Sequence, residues 1–164
     1  MFWEHKGRVR FPAPRMNRID NFFINFSRKW SLPFARFALF VVFFWFGVLK
    51  VVGESPASPL VSNLLSKTMP FVEFNTFIIF FGLFEMLIGI LFLIPKFWRV
   101  AVAFLSIHMI TTFLPLIFVP AATWSDSWIP TLEGQYIIKN LVIIATALAI
   151  VSHVPAHSEN VRNF

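Results

Sequence analysis

The sequence predicts an all-α integral membrane protein, a four-transmembrane-helix bundle preceded by an N-terminal amphipathic surface helix. Three observations carry that prediction. Hydrophobic residues make up 57% of the 164 residues and charged residues only 13%, about half the charged share of a soluble globule. Four apolar segments follow one another, each near the roughly 20 residues that cross a bilayer core as helix. The net charge of +6 is carried by residues 1–36, ahead of and at the start of the first of them. A soluble domain of this size has too little interior for 23 Phe and 6 Trp, so the surrounding medium must be lipid. The composition excludes a disordered chain, a secreted disulfide scaffold and a soluble enzyme. With 0 Cys, thiol redox chemistry, thiolate metal sites and iron–sulfur ligation are excluded as well.

Residues 1–32 form a basic cytoplasmic N-terminus. Lys6, Arg8, Arg10, Arg15, Arg18, Arg28, Lys29 and, just beyond, Arg36 face only Glu4 and Asp20, while the basic and acidic residues of the remainder cancel. A basic arm on nucleic acid would need a reading module nearby, and none is recognisable, so no nucleic-acid partner is expected. Within this region residues 16–30 place Met16, Ile19, Phe22, Phe23, Phe26 and Trp30 at helical spacing, opposite Asn17, Arg18, Asn21, Asn25, Arg28 and Lys29. The stretch is too polar to cross a membrane. It is read as lying on the cytoplasmic surface, with Phe22, Phe23, Phe26 and Trp30 in the interface and Arg18, Arg28 and Lys29 towards anionic lipid. A partner protein covering the same face is the competing reading. Pro33 is expected to part this helix from the first span.

The transmembrane domain covers residues 33–153, with spans at about 34–52, 73–94, 98–119 and 135–153. A cleaved signal peptide is the competing reading of the first. It fails on the long basic region ahead and on the lack of a small-x-small cleavage site behind. The turn between the second and third spans carries Lys96 and Arg99, and the tail, residues 154–164, carries Arg162. The first-to-second loop has only Lys67, and the third-to-fourth has no basic residue. Both termini are therefore expected in the cytoplasm. In the outer loop Ser55–Met69, two Ser-Pro steps precede Leu60, Val61, Leu64 and Leu65, which predicts a turn and a short interfacial helix. Pro120–Gly134, rich in Pro, Trp and Ser, reads as an ordered turn region.

Ionisable side chains inside a membrane cost several kcal/mol unless paired, so they are the first candidates for function. Glu85 shares a helix face with Asn75, Gly82 and Gly89, a small and polar stripe suited to the bundle interior. Phe77, Phe80 and Phe84 are expected on the lipid side, with Phe81 on the flank. The Glu85 carboxyl is then protonated or paired, and serves as a proton carrier, a headgroup ligand or a packing hydrogen bond. His108 shares a face with Ala101, Thr112 and Pro115, at a depth that allows it to meet Glu85. Such a pair would suit proton transfer or a quinone oxygen; a neutral His satisfied by a carbonyl or Thr is the plain alternative. A haem on His108 and His153 is disfavoured by their different depths. Lys50, Glu54, Glu73, Gln135, Tyr136 and Lys139 are expected at similar height, as a polar cluster at the outer mouth. It would be either an anion or headgroup site or a set of snorkelling ion pairs. His153 and His157 stand four apart, but Pro155 between them breaks the turn, so no metal site is expected.

Several segments together resemble a known family: Phe46–Gly47–Val48–Leu49–Lys50, then Ser58–Pro59–Leu60–Val61–Ser62–Asn63, then Gly82–Leu83–Phe84–Glu85 with Gly89, then Gly134–Gln135–Tyr136–Ile137–Ile138–Lys139–Asn140. In order and spacing they are similar to the DoxX-like membrane proteins, closest to the YkgB-like branch, over roughly residues 34–150. Asn140 stands where that branch usually has Asp. The resemblance implies a four-helix bundle of the bacterial inner membrane. Members include a subunit of a thiosulfate:quinone oxidoreductase, proteins linked to oxidative-stress tolerance and companions of redox-enzyme maturation. The cysteine pairs some relatives use are absent here.

The expectation is an anchoring or accessory subunit of a larger membrane redox assembly, without catalytic activity of its own. It would contact lipid headgroups or a quinone, the one cofactor suggested, and other membrane subunits would be its partners. A small proton-coupled transporter or conduit using Glu85 and His108 is the second reading. The lack of an internal repeat counts against alternating access there. A purely structural or assembly subunit is the third.

Overall fold

The computed structural model of the protein describes residues 17–154. Met16, the basic residues ahead of it, Pro155, His157 and Arg162 lie outside that range. The chain divides into two units, Met1–Ser31 and Leu32–Phe164. In chain order the elements are α1 (Arg18–Val51), α2 (Ser58–Thr68), α3 (Phe74–Leu93), a 3-10 turn (Pro95–Phe97), α4 (Trp98–Phe113), α5 (Pro115–Phe118), α6 (Pro120–Thr123), strands β1 (Trp124–Asp126) and β2 (Ile129–Pro130), and α7 (Leu132–Ser152).

In the first unit the described residues from Arg18 onward belong to α1, and their aromatic side chains form a ladder. Phe22 stacks on Phe26 at 6.3 Å and Phe26 meets Trp30 at 6.4 Å, with the Lys29 ammonium 5.9 Å from the Trp30 ring. The i, i+4 spacing of a helix produces this row. Phe22, Phe23, Phe26 and Trp30 are all exposed. Pro33, expected to end a helix, instead lies inside α1. It removes one donor from the ladder of backbone bonds, the one that would reach the Lys29 carbonyl, and the chain remains helical through it.

In the second unit one core draws on every long helix. Leu39 and Phe43 come from α1, Ile88 and Phe92 from α3, Ala101, Leu105 and Met109 from α4, and Ala147 and Ile150 from α7. The opposite faces are apolar too: Phe80 is 67% exposed, Ile110 65%, Val142 68% and Leu148 63%. In water such a surface would drive aggregation; in lipid it costs nothing. Four helical segments, Arg18–Val51, Phe74–Leu93, Pro95–Phe118 and Leu132–Ser152, are long and apolar enough to cross a membrane, as an all-α multi-pass membrane protein requires.

Local chemistry explains the ends. α1 stops at Gly53, whose φ of +82° suits glycine. The Glu54 N–H donates to the Leu49 carbonyl at 2.9 Å and the Gly53 N–H to the Lys50 carbonyl at 3.3 Å, the paired bonds of a Schellman stop. α3 is capped by Glu73, whose carboxylate accepts from the backbone N–H groups of Asn75 (2.9 Å) and Thr76 (2.6 Å). These bonds, Thr76 first, hold the Glu73 carboxyl below its usual range. At the other end of α3 the Arg36 guanidinium donates from Nη1 to the Phe92 carbonyl at 3.1 Å, one of the carbonyls a helix end leaves without a partner. Thr131 caps α7, accepting from the Gly134 N–H. Gly134 is held tightly against the Thr123 carbonyl, where any side chain would collide.

The short helix expected in the loop Ser55–Met69 is α2. The region Pro120–Gly134 is ordered, and it contains an antiparallel pairing of β1 and β2 that its Pro and Ser content did not suggest.

Candidate functional site

Two close helix approaches build the site. Gly47 of α1 and Gly82 of α3 face each other: a Cβ on Gly47 would sit 2.5 Å from the Gly82 carbonyl oxygen, and one on Gly82 would sit 2.7 Å from that of Gly47. Lower on the same seam, Gly89 lies against the backbone of Phe40 and Phe44. These pairings run antiparallel, and small residues let the two backbones nearly touch, as membrane helices do in the absence of a hydrophobic drive. Gly82 also clears the path of one side chain. A Cβ there would meet the Lys50 Cβ at 2.9 Å, so the Lys50 stem passes over Gly82 and runs inward to Glu85.

Three titratable groups on three helices then join. The Lys50 ammonium donates to Glu85 Oε2 at 2.6 Å. His108 Nε2 lies 2.8 Å from Glu85 Oε1 and donates to it in the tautomer that carries the proton there. Lys50 is 6% exposed, Glu85 5% and His108 5%. No buried side-chain N or O among the described residues lacks a hydrogen-bond partner. Charges this deep persist only in such company. Among the described residues, Lys50–Glu85 is the ion pair, and His108–Glu85 becomes one when the ring is protonated.

The far nitrogen of the imidazole has a partner that accommodates either charge state. Thr112 Oγ1 lies 3.2 Å from His108 Nδ1 and 2.8 Å from the His108 carbonyl. With a neutral ring, the Thr112 hydroxyl donates to Nδ1. With a protonated ring, Nδ1 donates to the hydroxyl, whose own proton turns to the carbonyl. Thr111 Oγ1 donates to the same carbonyl at 2.8 Å. Either state is therefore hydrogen-bonded without moving a backbone atom.

Aromatic rings close the site. Phe81 stacks on the His108 ring at 5.1 Å and 7° between planes, and Phe43 meets it edge-on at 5.3 Å. Phe84 stands 6.4 Å away, packed on Phe104. The Lys50 ammonium is 5.6 Å from the Phe81 centroid, within cation–π range. Phe81 and Phe84 thus wall the polar chain. Phe84, expected in lipid, turns inward because α4 lies beside α3 on that side. Phe80, Leu83, Leu87 and Ile90 form the exposed face of α3.

Compared with protein-family models, with curated proteins and with solved structures, the chain matches none.

The remaining candidates are distributed as follows. The structure brings Glu85 and His108 together and adds Lys50. It does not assemble the outer-mouth cluster around Lys50 and Lys139. Lys50 points inward to Glu85, Glu73 is committed to capping α3, and Glu54 and Gln135 are exposed. Lys139 is exposed and lies 5.3 Å from the ring of Tyr136, its neighbour one helical turn back. Asn140 donates to the Tyr136 and Ile137 carbonyls of its own helix. His153 is exposed, with Nδ1 2.7 Å from the Ala149 carbonyl. Sequence reasoning missed the stacking of Phe81 and the inward reach of Lys50. A signal for the second was present: Gly47 and Lys50, like Gly82 and Glu85, stand three apart on their helices.

Proposed function

We propose that the protein is a multi-pass membrane protein whose working part is the chain Lys50–Glu85–His108–Thr112, and that this chain takes up and releases a proton in a proton-coupled membrane process. The observation that carries the proposal is a set of buried hydrogen bonds through three titratable groups, continued by a part-buried bond to a hydroxyl that serves His108 in both charge states. A clamp that only fixed helix packing would not need that second state. The Phe81 stack suits the same role, because an aromatic face tolerates an imidazolium as well as an imidazole. Infrared titration of protein carrying isotope-labelled Glu and His tests it. Glu85 or His108 changes protonation within the pH range the folded protein survives, and the change disappears in Glu85→Gln. Flat signals from both groups across that range overturn it.

A second reading keeps the accessory subunit of a membrane redox assembly, with a quinone head meeting the interior chain. The observation in its favour is that two of the segments resembling DoxX-like proteins meet at the site, Gly47–Lys50 against Gly82–Glu85. A donor chain of this kind suits a quinone oxygen, which takes up protons as it is reduced.

We further read both termini as cytoplasmic and the membrane as the bacterial inner membrane. The support is the crowding of Arg and Lys before the first span and in the turn Pro95–Arg99. The exposed ladder Phe22, Phe26 and Trp30, with the Lys29 ammonium at the Trp30 ring, supports contact of the N-terminal part of α1 with anionic lipid at the membrane surface.

A further inference from the structure

At the end of the second unit that bears the turn Pro95–Arg99, a groove of about 400 Å³ is lined by Leu32, Pro33, Arg36, Leu93 and Pro95. Its wall is apolar except for one guanidinium. That guanidinium is fixed by its bond to the Phe92 carbonyl, which uses one of the five N–H donors an arginine carries. Arg36 makes no ion pair among the described residues. The stretches 32–44 and 90–103, which form this end of α1, α3 and α4, contain no Asp or Glu. Lys96 adjoins the groove residue Pro95 and is exposed, and Arg99 follows with its guanidinium 5.4 Å from the Trp98 ring. A fixed cation with no counter-charge among the described residues, at the mouth of an apolar trough, is complementary to an anion that carries a hydrocarbon tail.

We propose that this groove binds one anionic phospholipid, with its phosphate on Arg36 and Lys96 and one acyl chain along Leu32, Pro33, Leu93 and Pro95. The site lies apart from the Lys50–Glu85–His108 chain and stands or falls without it. A zwitterionic lipid would present its own cation to Lys96 and Arg36, which selects against it. An uncharged quinone would leave the cationic donors without a counter-charge.

Native mass spectrometry of the full chain in mild detergent tests the proposal, with dioleoyl phosphatidylglycerol and dioleoyl phosphatidylcholine as probes. The wild type retains phosphatidylglycerol in preference to phosphatidylcholine. Arg36→Gln weakens that retention about fivefold, the scale expected for one basic residue at a lipid surface. Because Arg36→Gln also loses the bond to Phe92, Leu93→Trp is the second variant. It fills the groove, leaves Arg36 in place and weakens retention likewise. Lys139→Gln, at an exposed lysine of α7, leaves retention unchanged. Equal retention of the two lipids, wild-type retention in both groove variants, or an equal loss in Lys139→Gln overturns the proposal. So does displacement of phosphatidylglycerol by inorganic phosphate or by a short-chain quinone.

Discussion

Glu85→Gln lowers the stability of the protein by about 3–5 kcal/mol, and Lys50→Met added to it restores most of the loss. The reason lies in what each change leaves behind. Glu85→Gln leaves the Lys50 ammonium, 6% exposed, facing Phe81 and an amide with no anion in reach. Lys50→Met leaves the Glu85 carboxylate, but His108 at 2.8 Å can take a proton and serve as its counter-ion. The single loss from Lys50→Met is therefore the smaller of the two. The double variant replaces a desolvated ion pair with a neutral amide and an apolar chain of similar length, a change that is often neutral or stabilising in an interior. Denaturation of the purified protein in detergent measures all four corners of this cycle. Losses from the two single changes that simply add would mean that Lys50 and Glu85 do not share their charges.

Gly82→Val has a comparably large effect, a loss of about 3 kcal/mol or more, and it acts through geometry rather than charge. Even a Cβ at this position meets the Gly47 carbonyl oxygen at 2.7 Å and the Lys50 Cβ at 2.9 Å. Two of the obstructing groups are backbone or the root of a side chain, so neither can swing aside. The α1 backbone must move off α3, and the Lys50 stem loses its route to Glu85. Gly89→Ala is the milder comparison, because its Cβ would lie 3.0 Å from the Phe40 carbonyl oxygen and a shift of a few tenths of an ångström relieves it. The same denaturation measurement ranks the two. A Gly82→Val protein as stable as the wild type would show that the helices do not touch there.

The spans were legible in the sequence because hydropathy over twenty residues is a local property. The rise per residue also put Glu85 and His108 at one depth, and this needs no tertiary knowledge either. Lys50 was misplaced for a specific reason. Counting along α1 puts its Cα in the last turn, near the end of the span, but the position of its ammonium depends on Gly82 leaving room below. That is a property of two helices together. Phe84 illustrates the same limit. The pattern of α3 alone divides it into a polar stripe and a Phe side, whereas α4 decides which Phe rings are covered. Thr112 was visible on the His108 face, but its choice between Nδ1 and a carbonyl follows only from the distances. The Arg36 groove has no sequence signal, since Arg36 and Leu93 are far apart in the chain and each reads as an ordinary end-of-span residue.

Proton movement across a sealed membrane is the sharpest test of the Lys50–Glu85–His108–Thr112 chain. Wild-type protein reconstituted into liposomes, with an imposed pH difference and a pH-sensitive dye inside, dissipates that difference. Folded Glu85→Gln and His108→Ala proteins, compared at equal protein content, do so about a hundredfold more slowly, the scale at which a positioned acid–base group acts. Equal rates in all three, at the level of empty liposomes, would contradict a proton-exchanging role for the chain and leave it a clamp between helices.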